Sequence, residues 1–222
     1  MPMRLISWNI YVGRLTNSSE LSDFLKRYES DVICLQEVDK CTNRSKKIDL
    51  TKEIAEKLGY ESYYFEKTLD FDGGEFGLSI ISKKEVSNIS TYKFKSTLTE
   101  KRLVMSVVVG DTIILNTHLE LDSTINKAQI LELIKVTKEL QKNYKKIILC
   151  GDFNNSLKNA EMQELLTFYN DSYINTATNV DDKINRIDYV FLDNSFCKEH
   201  RKINTNFSDH AALYVESEVQ ND

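Results

Sequence analysis

The sequence predicts an α/β protein built as a four-layer α/β/β/α sandwich, two packed mixed sheets with helices outside, and three observations carry that reading. Strand and helix signals alternate along all 222 residues, and no low-complexity or Pro/Gly-rich linker divides them. The β-prone run from Val107 to Leu115 is broken by a two-residue Gly110-Asp111 connection, which predicts an antiparallel hairpin and disfavours a purely parallel sheet. The strand candidates number about ten, more than one open sheet of this size usually holds, so two sheets packed face to face are expected. A single domain over residues 1–222 follows from the unbroken pattern.

The elements follow in chain order. Strands are expected over 4–9, 31–36, 60–66, 77–82, 88–94, 103–109, 112–117, 146–151, 186–192 and 211–217, each an apolar, β-prone run. A helix over 18–29 is signalled by Leu21, Phe24, Leu25 and Tyr28 at i, i+3, i+4 and i+7, with Asn17 and Glu20 placed like a capping box. A second, from Leu50 to Leu58, has Asp49 before it and Gly59 after it as a C′ residue. A long third helix starts near Ser123 with Ile130, Leu133 and Ile134 on one side, and a shorter fourth covers 159–168.

Composition narrows the function classes. Lys and Arg total 29 against 34 Asp and Glu, so the net charge of −5 gives no overall drive for nucleic-acid binding, although a local basic groove remains compatible with it. The N-terminus lacks a signal-peptide h-region, and no apolar run approaches the length of a transmembrane helix. Cys34, Cys41, Cys150 and Cys197 form no CxxC pair and read as reduced core or loop residues, so a cytoplasmic location is expected.

Chemistry concentrates in six fragments: Ser7-Trp8-Asn9, Leu35-Gln36-Glu37, Thr117-His118-Leu119, Gly151-Asp152-Phe153-Asn154, Arg186-Ile187-Asp188-Tyr189 and Ser208-Asp209-His210. Each lies at the end or start of an apolar strand run, and such sheets gather strand ends at one edge. Asn9, Glu37, Asp152, Asn154 and Asp209 are hard-oxygen donors, which suit Mg²⁺ or Mn²⁺ rather than zinc. Taken singly, a strand-end Asn or Asp is most often a turn or cap residue. Glu37 ends a buried run, where an unpaired carboxylate is costly, and so calls for a metal or a cation. Two of the three histidines fall in these fragments; Asp188 is placed to accept the His210 Nδ1–H and favour the protonated ring.

In this order the six fragments resemble the endonuclease/exonuclease/phosphatase superfamily of metal-dependent phosphoesterases, over residues 5–215. Gly-Asp-Phe-Asn and Ser-Asp-His are the most specific of them. The resemblance implies the four-layer fold and Glu37 as the principal metal ligand, with Asn9 and Asp209 near the ion. It implies Asp152 as the residue that activates or orients the attacking water, Asn154 as the holder of that water or of a phosphate oxygen, His118 as a phosphate contact and the Asp188–His210 pair as a transition-state stabiliser. His210 as general base is the alternative assignment.

Two further stretches are similar to small bacterial members: Arg44-Ser45-Lys46-Lys47-Ile48-Asp49, where Arg44 is a candidate phosphate grip, and Gly73-Gly74-Glu75-Phe76-Gly77, read as a tight turn near the site. Arg102 is compatible with either the cleft or the surface. Around Asp188 the Trp-Cys-Asp-Arg pattern of inositol-polyphosphate 5-phosphatases is missing, which weakens a phosphoinositide substrate. The expected activity is Mg²⁺-dependent hydrolysis of a phosphoester, with nucleic acid or a lipid headgroup as substrate class. A DNA endonuclease or repair nuclease is the alternative within enzymes, and a catalytically inactive phosphate-ligand-binding protein the alternative outside them. Substrate choice is assigned to the loops at 39–49, 67–77, 95–102 and 170–185.

Overall fold

The computed structural model describes residues 2–14, 16–95, 99–173, 186–193 and 195–219. In chain order the elements are β1 (Met3–Asn9), α1 (Ser18–Lys26), β2 (Val32–Lys40), α2 (Leu50–Leu58), β3 (Ser62–Phe71), β4 (Gly74–Ser82), β5 (Ser87–Lys93), β6 (Leu103–Val109) and β7 (Thr112–His118). Then come α3 (Ser123–Leu140), β8 (Ile147–Asp152), α4 (Ala160–Leu165), β9 (Asn170–Asp171), β10 (Asp188–Asp193), β11 (Ser195–Ile203) and β12 (Ala212–Val219). Two six-stranded mixed sheets result, ordered β11-β12-β1-β2-β4-β3 and β5-β6-β7-β8-β10-β9.

Strand alternation builds the layers. Along β6, Leu103, Met105, Val107 and Val109 face the core between the sheets, while Val104 and Val108 face the helix side. On β8, Ile148 and Cys150 point between the sheets, and Ile147 and Leu149 point outward with Ile130, Leu133 and Ile134 of α3. The first sheet repeats this: Leu5 lies between sheets, whereas Ile6 and Trp8 pack with Leu21, Phe24 and Leu25 of α1 and Ile54 of α2. Three apolar interfaces separate four layers, which is what period-2 strands buried on both faces require.

Local signals set the boundaries. Asn17 caps α1 by accepting from Ser19 N and Glu20 N, Asp49 caps α2 through Lys52 N, and Gly59 ends α2 in the left-handed region. Val109 pairs with Thr112 across Gly110-Asp111, closing the expected β6–β7 hairpin. Asp72 and Gly73, at φ 49° and 72°, make the tight β3–β4 turn.

Two strands were not expected. β9 is only two residues long, and β11 carries Lys198, Glu199, His200, Arg201 and Lys202 at the end of its sheet. Charged side chains guard an edge strand against further pairing, and they also erase the apolar alternation by which a strand is read. Helices α1 and α4 are shorter than the expected 18–29 and 159–168, because the residues beyond 26 and 165 form turns. Residues 174–185 of the 170–185 loop, Asn185 beside Arg186 among them, and residues 96–98 of the 95–102 loop lie outside the described residues.

Candidate active site

Topology explains why the six fragments meet. β1 and β2 run parallel, their pairing ending at Asn9 opposite Gln36 with Glu37 next in β2, and β7 and β8 run parallel and end with His118 opposite Asp152. β10 is antiparallel to β8 and starts with Asp188 opposite Asp152, while β12 is antiparallel to β1 and starts just after His210. Strand ends from one direction and strand starts from the other therefore share one edge of the sandwich.

Backbone detail aims the side chains. A bulge between Leu35 and Val38 opposite β4 adds a residue, and Glu37 sits there at φ 55°. Such a bulge re-aims a side chain at the end of a strand. Asn154, at φ 48°, is a second left-handed residue in the site. Gly151 adopts φ 141°, and a Cβ there would stand 1.9 Å from Thr117 O, so only glycine lets β8 approach β7 closely enough to set His118 beside Asp152.

The resulting network centres on Asp152, which is 1% exposed. Its Oδ1 accepts from Asn154 N at 2.9 Å, and its Oδ2 accepts from Asn9 Nδ2 at 3.1 Å. The same oxygen lies 3.6 Å from His118 Nε2 and 3.7 Å from His210 Nε2. His210 Nδ1 is bonded to Asp188 Oδ2 at 2.9 Å. Asn9 Nδ2 also donates to Glu37 Oε1 at 3.1 Å, so one carboxamide bridges two carboxylates, while its Oδ1 accepts from Tyr11 N. Asn154 Nδ2 donates to Leu119 O.

Electrostatics differ sharply among these groups. Burial, and then the charge of Asp188, push the Asp152 carboxyl up to about 6 against the lowering effect of His210, Asn154 N–H and Asn9. Burial would lower His210, but the bond to Asp188 and the charges of Asp188, Asp152 and Asp209 outweigh it and raise the ring to about 9. His118 moves the other way, well below its ordinary value, through burial and then repulsion from Arg102 and His210.

Asn9, Glu37, His118, Asp152, Asn154, Asp188 and His210 thus join in one network. Asp209 is exposed at the rim beside His210, with its Oδ1 3.4 Å from the Ser208 hydroxyl. Arg44 does not present its fork to the cleft: Nε and Nη2 donate to the two oxygens of fully buried Asp39 at 2.6 and 2.8 Å, and the guanidinium lies over Phe71. A buried carboxylate needs a partner more than a solvated phosphate does, and Arg44 provides one. Two of its three guanidinium nitrogens are therefore committed to Asp39.

A hard divalent cation suits this donor set. Asp152, Asp188 and His210 offer ligand atoms within 4.8 Å of one another, and Glu37 reaches Asp152 through the shared Asn9. A carboxylate pushed up by a neighbouring carboxylate in a buried setting marks negative charge in search of a cation. The close acidic group found here is Asp152–Asp188–His210, whereas Asn9 turns its N–H, not its oxygen, toward the carboxylates.

Other supporting residues emerge only from the structure. Ser208 Oγ donates to Asn9 O at 2.7 Å and accepts from His210 N, and Trp8 Nε1 donates to His210 O, so the end of β1 holds the 208–210 turn. Gln36 Nε2 donates to Asn116 Oδ1 at 2.7 Å, and Asn116 Nδ2 donates to Leu35 O and Ser79 O, a buried polar tie between the sheets below the site. Arg102, 6% exposed, pairs with Glu100 and Glu120 near His118. The signal for Asn116 was a lone carboxamide inside an apolar strand; Arg102 carried no distinguishing signal.

A family model described as the endonuclease/exonuclease/phosphatase family matches residues 6–210. The chain belongs to this family. Its members include phosphodiesterases, phosphatases and nucleases, mostly hydrolases of phosphoesters, and the family is metal-dependent. Among solved structures, the human Nocturnin catalytic domain with bound sulfate anion is similar at 17% identity and TM-score 0.75, over 98% of this chain and 94% of that one. A functionally unknown conserved protein from Enterococcus faecalis V583 gives 16% and 0.74, over 98% and 100%. Truncated Caenorhabditis elegans TDP2 gives 20% and 0.70, over 98% and 97%. At these identities the likeness shows the fold. No curated protein matches the sequence. Among the described residues no helix is long and apolar enough to cross a membrane.

Proposed function

We propose that this member of the family is a Mg²⁺- or Mn²⁺-dependent phosphoester hydrolase in which Asp152 handles the attacking water. The observation that carries the reading is the convergence of His118, His210, Asn9 and Asn154 on the two oxygens of one buried carboxylate, Asp152. With a pKa of about 6, Asp152 is ionised at neutral pH yet basic enough to take a proton from water. Asn154 N–H fixes Oδ1, which orients the carboxylate.

Protonation states divide the remaining roles. Raised to about 9, His210 is a cation at neutral pH, which suits stabilising charge on a phosphoryl oxygen and argues against its acting as the general base. His118, held neutral, offers a hydrogen bond to the phosphate without adding charge. Glu37 and Asp209 at the rim are the oxygen donors that would hold the cation, with the Asn9 carboxamide orienting Glu37. When bound, the ion supplies Lewis-acid polarisation of the phosphoryl group.

The test is hydrolysis of bis-p-nitrophenyl phosphate, plasmid DNA and an abasic duplex with Mg²⁺ by wild type and Asp152→Asn. The variant is expected to lose about 10²- to 10⁴-fold in kcat on whichever substrate turns over. Full activity in Asp152→Asn would falsify the mechanism. A cytoplasmic location and one domain over 1–222 are part of the same proposal.

A further inference from the structure

Arg186 stands two residues before Asp188, and none of the roles in the site uses it. Its side chain is 10% exposed, and a guanidinium so far removed from water needs a partner. Asp171 of β9, 11% exposed, supplies it: Oδ2 accepts from Arg186 Nη2, and Oδ1 accepts from Tyr173 N at 3.0 Å. The guanidinium also lies against two rings, 4.6 Å from the centroid of Tyr173 and 4.4 Å from that of Tyr189. A planar cation is drawn to an aromatic face, more strongly where water is excluded. Tyr189 is fully buried and its hydroxyl donates to Arg186 O at 2.6 Å, so side chain and backbone of Arg186 are both fixed around Asp188.

These contacts hold the entry of β10. On one side β10 pairs with β8 from Asp188 onward, and Phe153 N donates to Ile187 O. On the other side the β9 ladder covers Phe191 and Leu192, and Ser172 N donates to Val190 O. Toward Asp188 that side is continued by the Arg186 side chain in place of a backbone ladder.

The same group reaches the other sheet. Tyr173 packs edge-on against His200 of β11 at 5.2 Å, and Ser172 Oγ is hydrogen-bonded with His200 Nδ1 at 3.1 Å. Burial, and then the charge of Arg186, push His200 down to about 4, so the ring is neutral and Arg186 is the cation facing Asp171. β9 and β11 each end a sheet, with β10 and β12 next to them. The sheets are therefore tied one strand away from the Asp188–His210 bond, which itself joins β10 to the turn before β12 at 2.9 Å. A hydrogen bond weakens steeply with misalignment, so the placement of β10 decides whether that bond forms.

We infer that Arg186 is a positioning residue for the proposed reaction: by holding the entry of β10 against β9 and, through Tyr173, toward β11, it sets Asp188 at hydrogen-bonding distance from His210. Its catalytic consequence rests on the phosphoesterase reading, whereas the placement of Asp188 is measurable without turnover. The test uses the full-length protein in Mg²⁺ and the variants Arg186→Met, Asp171→Asn/Arg186→Met and Val107→Ala. The double variant removes both members of the ion pair and keeps an acceptor for Tyr173 N, so it folds even where the single variant, with its unpaired carboxylate, does not. Val107, fully buried on β6, is three strands away from β10, and its truncation lowers stability without touching the Arg186 group.

Two readouts decide it. The first is the His210 Nδ1–H proton in NMR, assigned by its loss in His210→Gln; held by Asp188, it exchanges slowly with water and stays visible. It should vanish in the Arg186 variants and persist in Val107→Ala. The second is kcat on bis-p-nitrophenyl phosphate, which should fall about 10- to 100-fold in the Arg186 variants with KM unchanged. A wild-type resonance in a folded Arg186 variant, its loss from Val107→Ala as well, or its loss with kcat intact would each overturn the positioning role. Wild type that hydrolyses neither this ester nor plasmid DNA overturns the phosphoesterase reading instead, and the resonance then decides the placement of Asp188 by itself.

Discussion

His118 and His210 face the same carboxylate oxygen, Asp152 Oδ2, at 3.6 and 3.7 Å, yet their pKa values move in opposite directions. The shared neighbour therefore does not set their charge. His210 has a second carboxylate, Asp188, on its other nitrogen, with Asp209 next in the chain; His118 is more deeply buried and has Arg102 nearby. Burial acts on both rings against the charged form, and only the ring with a direct anionic hydrogen bond overcomes it. One imidazole is thus a fixed cation and the other a neutral hydrogen-bonding group.

The largest way to break this difference is Asp188→Asn. Removing the charge from the bonded partner leaves His210 buried with less compensation, so its ring should become neutral near pH 7 and kcat should fall about 10²- to 10³-fold. His118→Gln, which removes no charge, should cost less, on the order of tenfold. Steady-state kinetics of the two variants decide it, and an equal or greater loss in His118→Gln would contradict the assignment.

Next in size is Gly151→Ala, which acts on the β7–β8 strand pair. Its Cβ would collide with Thr117 O and separate the strand pair that sets His118 against Asp152. A destabilisation of about 2–4 kcal/mol is expected in urea unfolding. A variant as stable as wild type would show that the close approach is not required.

The His210 shift also has a sign in stability. A group whose pKa is about 9 folded and ordinary unfolded contributes stability that is complete below about 6.5 and is lost as pH rises through 9. Metal-free protein should lose on the order of 3 kcal/mol across that window, in the limit that His210 alone titrates. His210→Gln should flatten the profile there. A wild-type profile that is already flat would refute the raised value.

The smallest effect sharpens the His118 side. Arg102→Met removes one repelling charge, so His118 should titrate higher than in wild type but still below its ordinary value, because burial is the larger cause. NMR titration of the ring checks this. A fully restored value would make Arg102, not burial, the dominant cause.

Much of this was legible in the chain. The β6–β7 hairpin, the Asn17 and Asp49 caps and Gly59 were readable because turn and cap chemistry acts over a few residues. The polar residues of the six fragments were readable because each interrupts an apolar strand. The charged edge strand β11 was not, since its outward Lys, Glu and Arg side chains hide the period-2 pattern. Nor was the fate of Arg44, which depends on Asp39 being fully buried within reach of its fork.

By itself the sequence determined the four-layer architecture and which side chains stand at strand ends, because periodicity and local turn preference are encoded residue by residue. Only the tertiary structure decided that Asn9 bridges Glu37 and Asp152, that Arg44 is held by Asp39, and that His118 is shifted down by burial while His210 is shifted up. Burial and Coulomb interactions depend on the distance between groups and on the solvent removed from around them. For Asn9 and Asp152, 143 residues apart in the chain, the fold alone sets both.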